Sequence, residues 1–189
     1  MKLYTRILII SLFSVAMIGL QSCQSSKYGD KVKEPFSTGK YESNNRWFRS
    51  TGKGVSKKDN IAKSKADLAA KSELAGQVET NMKQVADLYL DETGMGNNSE
   101  LTEKFSSLTR QVMNTTIVDL RKIGEEKFFN AEEDVYTVFM ADEIKKAAMF
   151  RFMKKQIKVD KKLSKVEIDI MEAMLDAEIK KLEAEEDND

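Results

Sequence analysis

Apolar residues recur at helical spacing through most of the chain. Stretches of mixed apolar and charged residues occupy positions 61–89, 101–112 and 144–182, and their apolar residues stand at intervals close to the helical period. Such intervals place side chains on one face of a helix. The sequence therefore predicts long amphipathic helices in the middle and at the C-terminal end of the chain.

Polar residues mark where these helices begin and end. Residues 158–165 are almost wholly polar, so we expect the last helical stretch to be broken or kinked there. Ser56 precedes Asp59 by three residues, and Ser164 precedes Glu167 by the same interval. This is the spacing of a capping box, which predicts two helix N-termini.

Three shorter stretches follow a period of two. Residues 46–55 are rich in aromatic and β-permissive side chains. Residues 116–129 and 134–141 flank a polar turn, as the two arms of a hairpin do. The order strand, helix, helix, strand, strand, helix predicts an α+β fold. We expect a small three-stranded, mainly antiparallel sheet covered by helices, with a long C-terminal helical extension.

The first predicted helix begins with small residues. Alanines are frequent between residues 62 and 70, and Gly52 and Gly54 stand in the preceding strand. Because neither segment carries bulk there, we expect the two backbones to approach closely. The apolar face of this helix is predicted to consist of Ile61, Leu68, Ala75, Val78, Met82, Val85 and Tyr89.

The N-terminus has the three-part layout of a secretory signal. Lys2 and Arg6 precede an uncharged apolar run at 7–20, which is shorter than the roughly 18 residues that span a bilayer. The tetrapeptide Leu20-Gln21-Ser22-Cys23 resembles the lipobox of bacterial lipoproteins. That resemblance implies that the cysteine receives a diacylglyceryl group and becomes the N-terminus of the mature protein.

An ordinary signal peptide, cleaved near Ala16, is the alternative to lipidation. It would export Cys23, the only cysteine of the chain, as a free thiol into a compartment where cysteines normally occur in pairs. We therefore expect Cys23 to be lipidated, and two acyl chains suffice for stable anchoring. No acidic run follows Cys23 of the kind that directs Bacteroidota-like lipoproteins to the cell surface, which favours the periplasmic face of the outer membrane.

These patterns divide the chain into four parts. We expect a lipoprotein signal peptide at residues 1–22 and a lipidated N-terminus with a flexible tether at 23–45. An α+β domain should follow at 46–158, and a helical extension with an acidic tail at 159–189.

The composition restricts the chemistry available to the protein. The chain contains no histidine, and with Cys23 lipidated no free thiol remains for zinc, iron–sulfur or haem ligation. Its 31 basic residues balance 31 acidic ones, so the sequence provides no basic field for nucleic acid. We expect no metal, no cofactor and no nucleic-acid partner.

The segment Arg46–Thr80 is similar to the opening of a known family. Its sequence, RWFRSTGKGVSKKDNIAKSKADLAAKSELAGQVET, has the aromatic strand, the Gly-x-Gly and the alanine-rich helix of the Lpp-twenty envelope lipoproteins. The resemblance covers roughly residues 46–152. It implies a curved antiparallel sheet covered by helices, in a bacterial lipoprotein without catalytic residues.

The expected function is that of a non-enzymatic, membrane-anchored binding or structural module. The alternative is an envelope enzyme that uses Ser/Lys or carboxylate chemistry. A catalytic carboxylate usually needs a buried position that raises its pKa, and the apolar pattern marks no carboxylate as buried. A pocket with a buried Asp or Glu, or a Ser–Lys contact, would favour the enzyme instead. A membrane-surface role for the last helix is a third possibility, but its acidic end disfavours anionic lipid.

Strand alternation predicts a candidate interface. If all helices cover one face of the sheet, that face should hold Phe48, Gly52, Gly54, Val118, Leu120, Tyr136, Val138 and Met140. The opposite face then carries Trp47, Arg49, Arg121, Ile123, Val135, Thr137 and Phe139. This mixture resembles an interface core, so we predict pairing with a second copy or with a partner protein. The alternative is that the C-terminal helix or the tether folds over this face.

Overall fold

The fold is α+β, as the sequence predicts. The computed structural model describes residue 29 and residues 32–95, 98–115 and 119–186. The strands are β1 (Trp47–Ser56), β2 (Arg121–Asn130) and β3 (Val135–Lys145). The helices are α1 (Asp59–Glu92), α2 (Ser99–Thr115), α3 (Lys146–Val159) and α4 (Lys165–Glu186), with a short 3-10 helix at Gly39–Tyr41.

The three strands form one antiparallel sheet in the order β1-β3-β2. The hairpin is confirmed, with β2 and β3 joined through residues 131–134. An irregularity in the pairing of β2 leaves Ile123 as an extra residue between Lys122 and Gly124. Helix α1 lies across β1 and β3, and β2 forms an edge whose residues are mostly exposed.

Small residues bring α1 and the sheet together. A Cβ on Gly52 would lie 2.1 Å from the carbonyl oxygen of Ala66, and one on Gly54 would lie 2.1 Å from that of Ala62. Both alanines are fully buried. The predicted close approach of the two backbones is therefore confirmed.

The predicted apolar face of α1 is wrong over its first three turns. Ile61 is 41% exposed and Leu68 is 70% exposed, because the alanines face the sheet instead. The prediction is correct further along for Val78, Met82 and Val85, which are buried. There the helix leaves the sheet and packs in a core cluster with residues of α2, α3 and α4.

The C-terminal helix α4 belongs to the same core cluster. The polar break predicted at 158–165 separates α3 from α4. The apolar side chains of α4 are nevertheless buried in the cluster that contains Phe48, Phe105 and Phe150. Over its described part, the predicted extension 159–189 is an integral element of the fold and not an appendage. Its buried residues are Met171, Met174, Leu175, Ile179 and Leu182.

One of the two predicted caps forms. The Ser164 hydroxyl accepts a hydrogen bond from the Glu167 N–H at 3.3 Å, while the Glu167 carboxylate accepts from the Ser164 N–H at 2.7 Å. A hydrogen bond from the Lys104 ammonium, with further hydrogen bonds from the Ser164 N–H and hydroxyl, lowers the pKa of Glu167 to about 2. The other cap is wrong: α1 begins with Lys58 as its cap residue, and Ser56 accepts a hydrogen bond from the Lys58 N–H instead.

Candidate functional site

The sheet has an inner face against α1 and an outer face on the opposite side. Inner positions are buried as predicted, including Phe48, Val138 and Met140. Leu120 precedes β2 and packs against the core, and Val118 lies outside the described residues. Strand register places Trp47, Arg49, Arg121, Val135, Thr137 and Phe139 on the outer face, with Ile123 at the irregularity of β2.

The middle of the outer face is covered by the chain itself. A Cβ on Gly124 would lie only 2.5 Å from Cε1 of Phe36, so the Phe36 ring packs directly on Gly124. The rings of Phe36 and Tyr41 are also in contact, with their centroids 4.8 Å apart. The Ser43 hydroxyl accepts a hydrogen bond from the Arg49 N–H at 2.8 Å. The prediction of a structureless tether at 23–45 therefore does not hold for its last twelve residues, 34–45.

Trp47 occupies one end of the outer face. The guanidinium carbons of Arg49 and Arg121 lie 5.9 and 5.8 Å from its ring centroid, within the range of cation–π contacts. Both arginines are also ion-paired, Arg49 with Glu143 at 3.0 Å and Arg121 with Asp119 at 3.2 Å. The charges here are compensated within the chain, and the indole is held in place by its neighbours.

The other end of the outer face is an exposed apolar surface, which we call the hairpin patch. Val55 is 43% exposed and Phe128 is 49% exposed, and Phe128 contacts Phe139 edge to face at 5.9 Å. Lys53 and Glu126 flank Phe139 in register, one from each neighbouring strand. The patch consists of Val55, Phe128, Val135, Thr137 and Phe139.

A second candidate site lies on the inner side, where α1 leaves β2 uncovered. This Asp142 cleft has a volume of about 500 Å³ and an apolar floor that includes Leu120 and Met140. Asp142 lines the cleft and is only 2% exposed, and its Oδ2 is buried without a hydrogen-bond partner. Burial raises the pKa of Asp142, and the neighbouring Asp67 carboxylate raises this pKa further.

The expectation that no carboxylate is buried is wrong at Asp142. The predicted second arm of the hairpin ends at Ala141, whereas β3 continues to Lys145. The extension places Asp142 on the inner face between Met140 and Ile144, which are both buried. The period of two continues from Val138 to Ile144, and that signal could have revealed the buried position.

A larger cleft between α1 and α2 has a volume of about 780 Å³. Its polar side chains already hold one another: Arg110 pairs with Glu79 at 2.5 Å, and Thr102 donates a hydrogen bond to Asp87 at 3.2 Å. Arg110 lowers the pKa of Glu79 by this hydrogen bond and by its charge. The arrangement holds the two helices together and presents no buried group without a partner among its lining residues.

In residues 32–95, 98–115 and 119–186, no helix has the length and apolar character needed to cross a membrane. The same ranges contain no group of three or more acidic, cysteine or histidine side chains that could hold a metal ion. Cys23 lies outside the described residues.

Comparison with known proteins gives no match: no protein-family model, no curated protein and no solved structure is similar to this chain at a significant level. The resemblance of Arg46–Thr80 to the Lpp-twenty lipoproteins remains a prediction from the quoted residues.

Proposed function

We propose that the protein is a non-enzymatic lipoprotein of the bacterial envelope, anchored through Cys23 at the periplasmic face of the outer membrane. Its α+β domain pairs with a second copy through the hairpin patch. The observation that carries the pairing is the exposure of Val55 and Phe128 beside Phe139, on the face of the sheet opposite α1.

The charges around the patch favour a second copy as the occupant. Lys53 and Glu126 lie on opposite sides of Phe139. The Lys53 ammonium lies 5.2 Å from the Phe139 ring centroid and pairs with Glu34 of its own chain at 2.6 Å, so in a dimer it would be shared between Glu34 and the second copy. A two-fold axis that runs parallel to β3 near Phe139 would bring Lys53 of one copy opposite Glu126 of the other, with apolar surface facing apolar surface. Such an interface is isologous, since each copy contributes the same patch.

The anchor is supported by the N-terminal sequence. Leu20 to Cys23 resembles a lipobox, and the lone cysteine is otherwise an unusual thiol for an exported protein. A lipid on Cys23 confines the protein to two dimensions, which raises the effective concentration of one copy near another.

The enzymatic alternative is favoured by one observation, the buried carboxylate of Asp142. The candidate nucleophiles beside it are engaged elsewhere. The Ser64 hydroxyl donates to the carbonyl of Asn60 at 2.9 Å, and the Lys71 ammonium contacts Asp67 at 2.7 Å. No Ser–Lys contact occurs among the described residues that line the cleft, so the arrangement favours binding over catalysis.

The pairing is tested with two adjacent phenylalanines on opposite faces of β2. Phe128→Asp places a charge in the apolar centre of the proposed interface, so we expect the dimer to dissociate to monomers in light scattering. Phe129 is similarly exposed, at 53%, but it lies on the inner face next to Tyr136. Phe129→Asp is therefore the control and should leave the mass unchanged. Both variants are made in the full chain with Cys23→Ala, so that no lipid contributes to association.

A charge exchange distinguishes a second copy from another partner. Lys53→Glu alone should weaken the dimer, since it places a carboxylate opposite the Glu126 carboxylate of the other copy. Adding Glu126→Lys should restore the dimer. A wild-type protein that is monomeric at tens of micromolar, or a dimer that survives Phe128→Asp, would contradict the proposed pairing.

A further inference from the structure

The donors that face Asp142 are bonded to other acceptors. Strand register sets Asp142 between Ser50 of β1 and Lys122 of β2. The Ser50 hydroxyl donates to the Ala70 carbonyl at 2.7 Å, and the Lys122 ammonium is hydrogen-bonded to Glu125. On the α1 side, the Lys71 ammonium lies 2.7 Å from Asp67. Asp142 Oδ2 therefore remains a buried acceptor without a partner, on a residue that lines the cleft.

A buried carboxylate oxygen without a donor is costly to the folded protein. A ligand that brings a donor to this oxygen recovers that cost, and a cationic donor recovers the most because charge-assisted hydrogen bonds are the stronger ones. The floor of the cleft therefore favours an ammonium group.

The rim of the cleft favours a negatively charged group. The side chains of Lys63 and Lys122 are 49% and 47% exposed, so both ammonium groups reach solvent at the mouth. Both contact Glu125, which keeps them in place there. With Asp142 ionised, the cleft is lined by three lysines and two carboxylates, and Glu125, which lies outside the lining but contacts Lys63 and Lys122, brings the local charge to zero. A neutral ligand with separated charges fits this field better than an ion of either sign.

We infer that the Asp142 cleft binds a small zwitterion of the amino-acid type, with its ammonium group on Asp142 and its carboxylate at Lys63 and Lys122. A short hydrocarbon segment of the ligand lies against Leu120 and Met140, which supply the apolar lining. This site is separate from the hairpin patch and lies on the other face of the sheet.

The probe is 6-aminohexanoate, compared with its carboxamide and its N-acetyl form. We expect 6-aminohexanoate to give saturable NMR shifts at Leu120 and Met140 in the full chain. The carboxamide loses the attraction of the rim lysines and should bind more weakly, and the N-acetyl form lacks the ammonium group and should not bind.

Asp142→Asn removes the charge with little change in shape, and it should weaken binding of 6-aminohexanoate at least about tenfold. The matched control is Asp176→Asn, an exposed carboxylate on α4 that pairs with Lys154. It should leave the affinity unchanged.

The affinity should also fall on acidification. The ammonium group requires an ionised Asp142, whose pKa is raised by burial and by Asp67 and lowered by Lys71 and Lys122. As the pH falls, Asp142 becomes protonated and the affinity decreases. Because the pKa of Asp142 is raised, this decrease should begin at a pH above the ordinary pKa range of an aspartate.

Two results would overturn the inference. One is the absence of saturable shifts at Leu120 and Met140 in the wild-type protein, a measurement that does not depend on any variant folding. The other is equal affinity for the zwitterion and its N-acetyl form. Because the hairpin patch is on the opposite face, the light-scattering results remain independent of either outcome.

Discussion

Gly52→Ala is expected to lower the free energy of unfolding by about 3 kcal/mol or more. The added methyl would lie 2.1 Å from the Ala66 carbonyl oxygen and 2.4 Å from the Ala70 amide nitrogen. Both atoms belong to the helix backbone, which cannot rotate away as a side chain can. Helix α1 must therefore move off β1, and the packing of Ala62, Ala66 and Ala70 against the sheet is lost.

Gly76→Ala in the same helix is the matched control. Apart from its chain neighbours and the backbone of α1 itself, no atom lies within 4 Å of the position of its Cβ, and the residue is exposed in the middle of α1. An alanine there should stabilise the protein by about 0.5–1 kcal/mol, because glycine is a poor helix former. Urea denaturation followed by Trp47 fluorescence measures both variants. Equal stabilities for the two variants would show that α1 does not approach the sheet at Gly52.

A chain that ends at Val159 is expected to lose its cooperative unfolding transition. It lacks α4, whose five buried apolar side chains belong to the main core cluster. Burial of each such side chain contributes about 1.5–3 kcal/mol. Their sum is comparable with the total stability of a domain, about 5–15 kcal/mol. Met153 and Ile157 of α3 would also lose the helix that packs beside them.

Circular dichroism during heating tests this expectation. A chain that ends at Glu186 keeps all of α4 and serves as the control, which should melt as the full chain does. A cooperative melt of the chain that ends at Val159, within a few degrees of the control, would mean that α4 is an appendage and that the core forms without it.

The apolar pattern predicts the fold where packing requires large side chains, and it fails where packing requires small ones. In α1, hydrophobicity favours Leu68 over the alanines around it, but the glycines of β1 leave room only for methyl groups. The same pattern works from Val78 onward, where the helix faces other helices. Glycines in a strand beside alanines in a helix are thus the better signal at the start of α1.

The sequence analysis did not predict two features of the candidate sites, each for a different physical reason. Phe36 lies in a polar stretch with no periodicity, and its contact with Gly124 depends on tertiary structure alone. Asp142 is polar, and polarity conceals a buried position unless the alternation of the flanking residues is followed through it. The outer-face residues, in contrast, follow directly from strand alternation once the hairpin is recognised.

Anchoring through Cys23 is the central claim of the proposed function. Intact mass spectrometry of the protein from the membrane fraction of its native cells tests it directly. The account predicts a mass equal to that of residues 23–189 plus the mass of two or three acyl chains with their glyceryl group. With Cys23→Ala this species should disappear, and the protein should appear in the soluble periplasmic fraction without an acyl increment. A mass without an acyl increment, or cleavage near Ala16, would contradict the account.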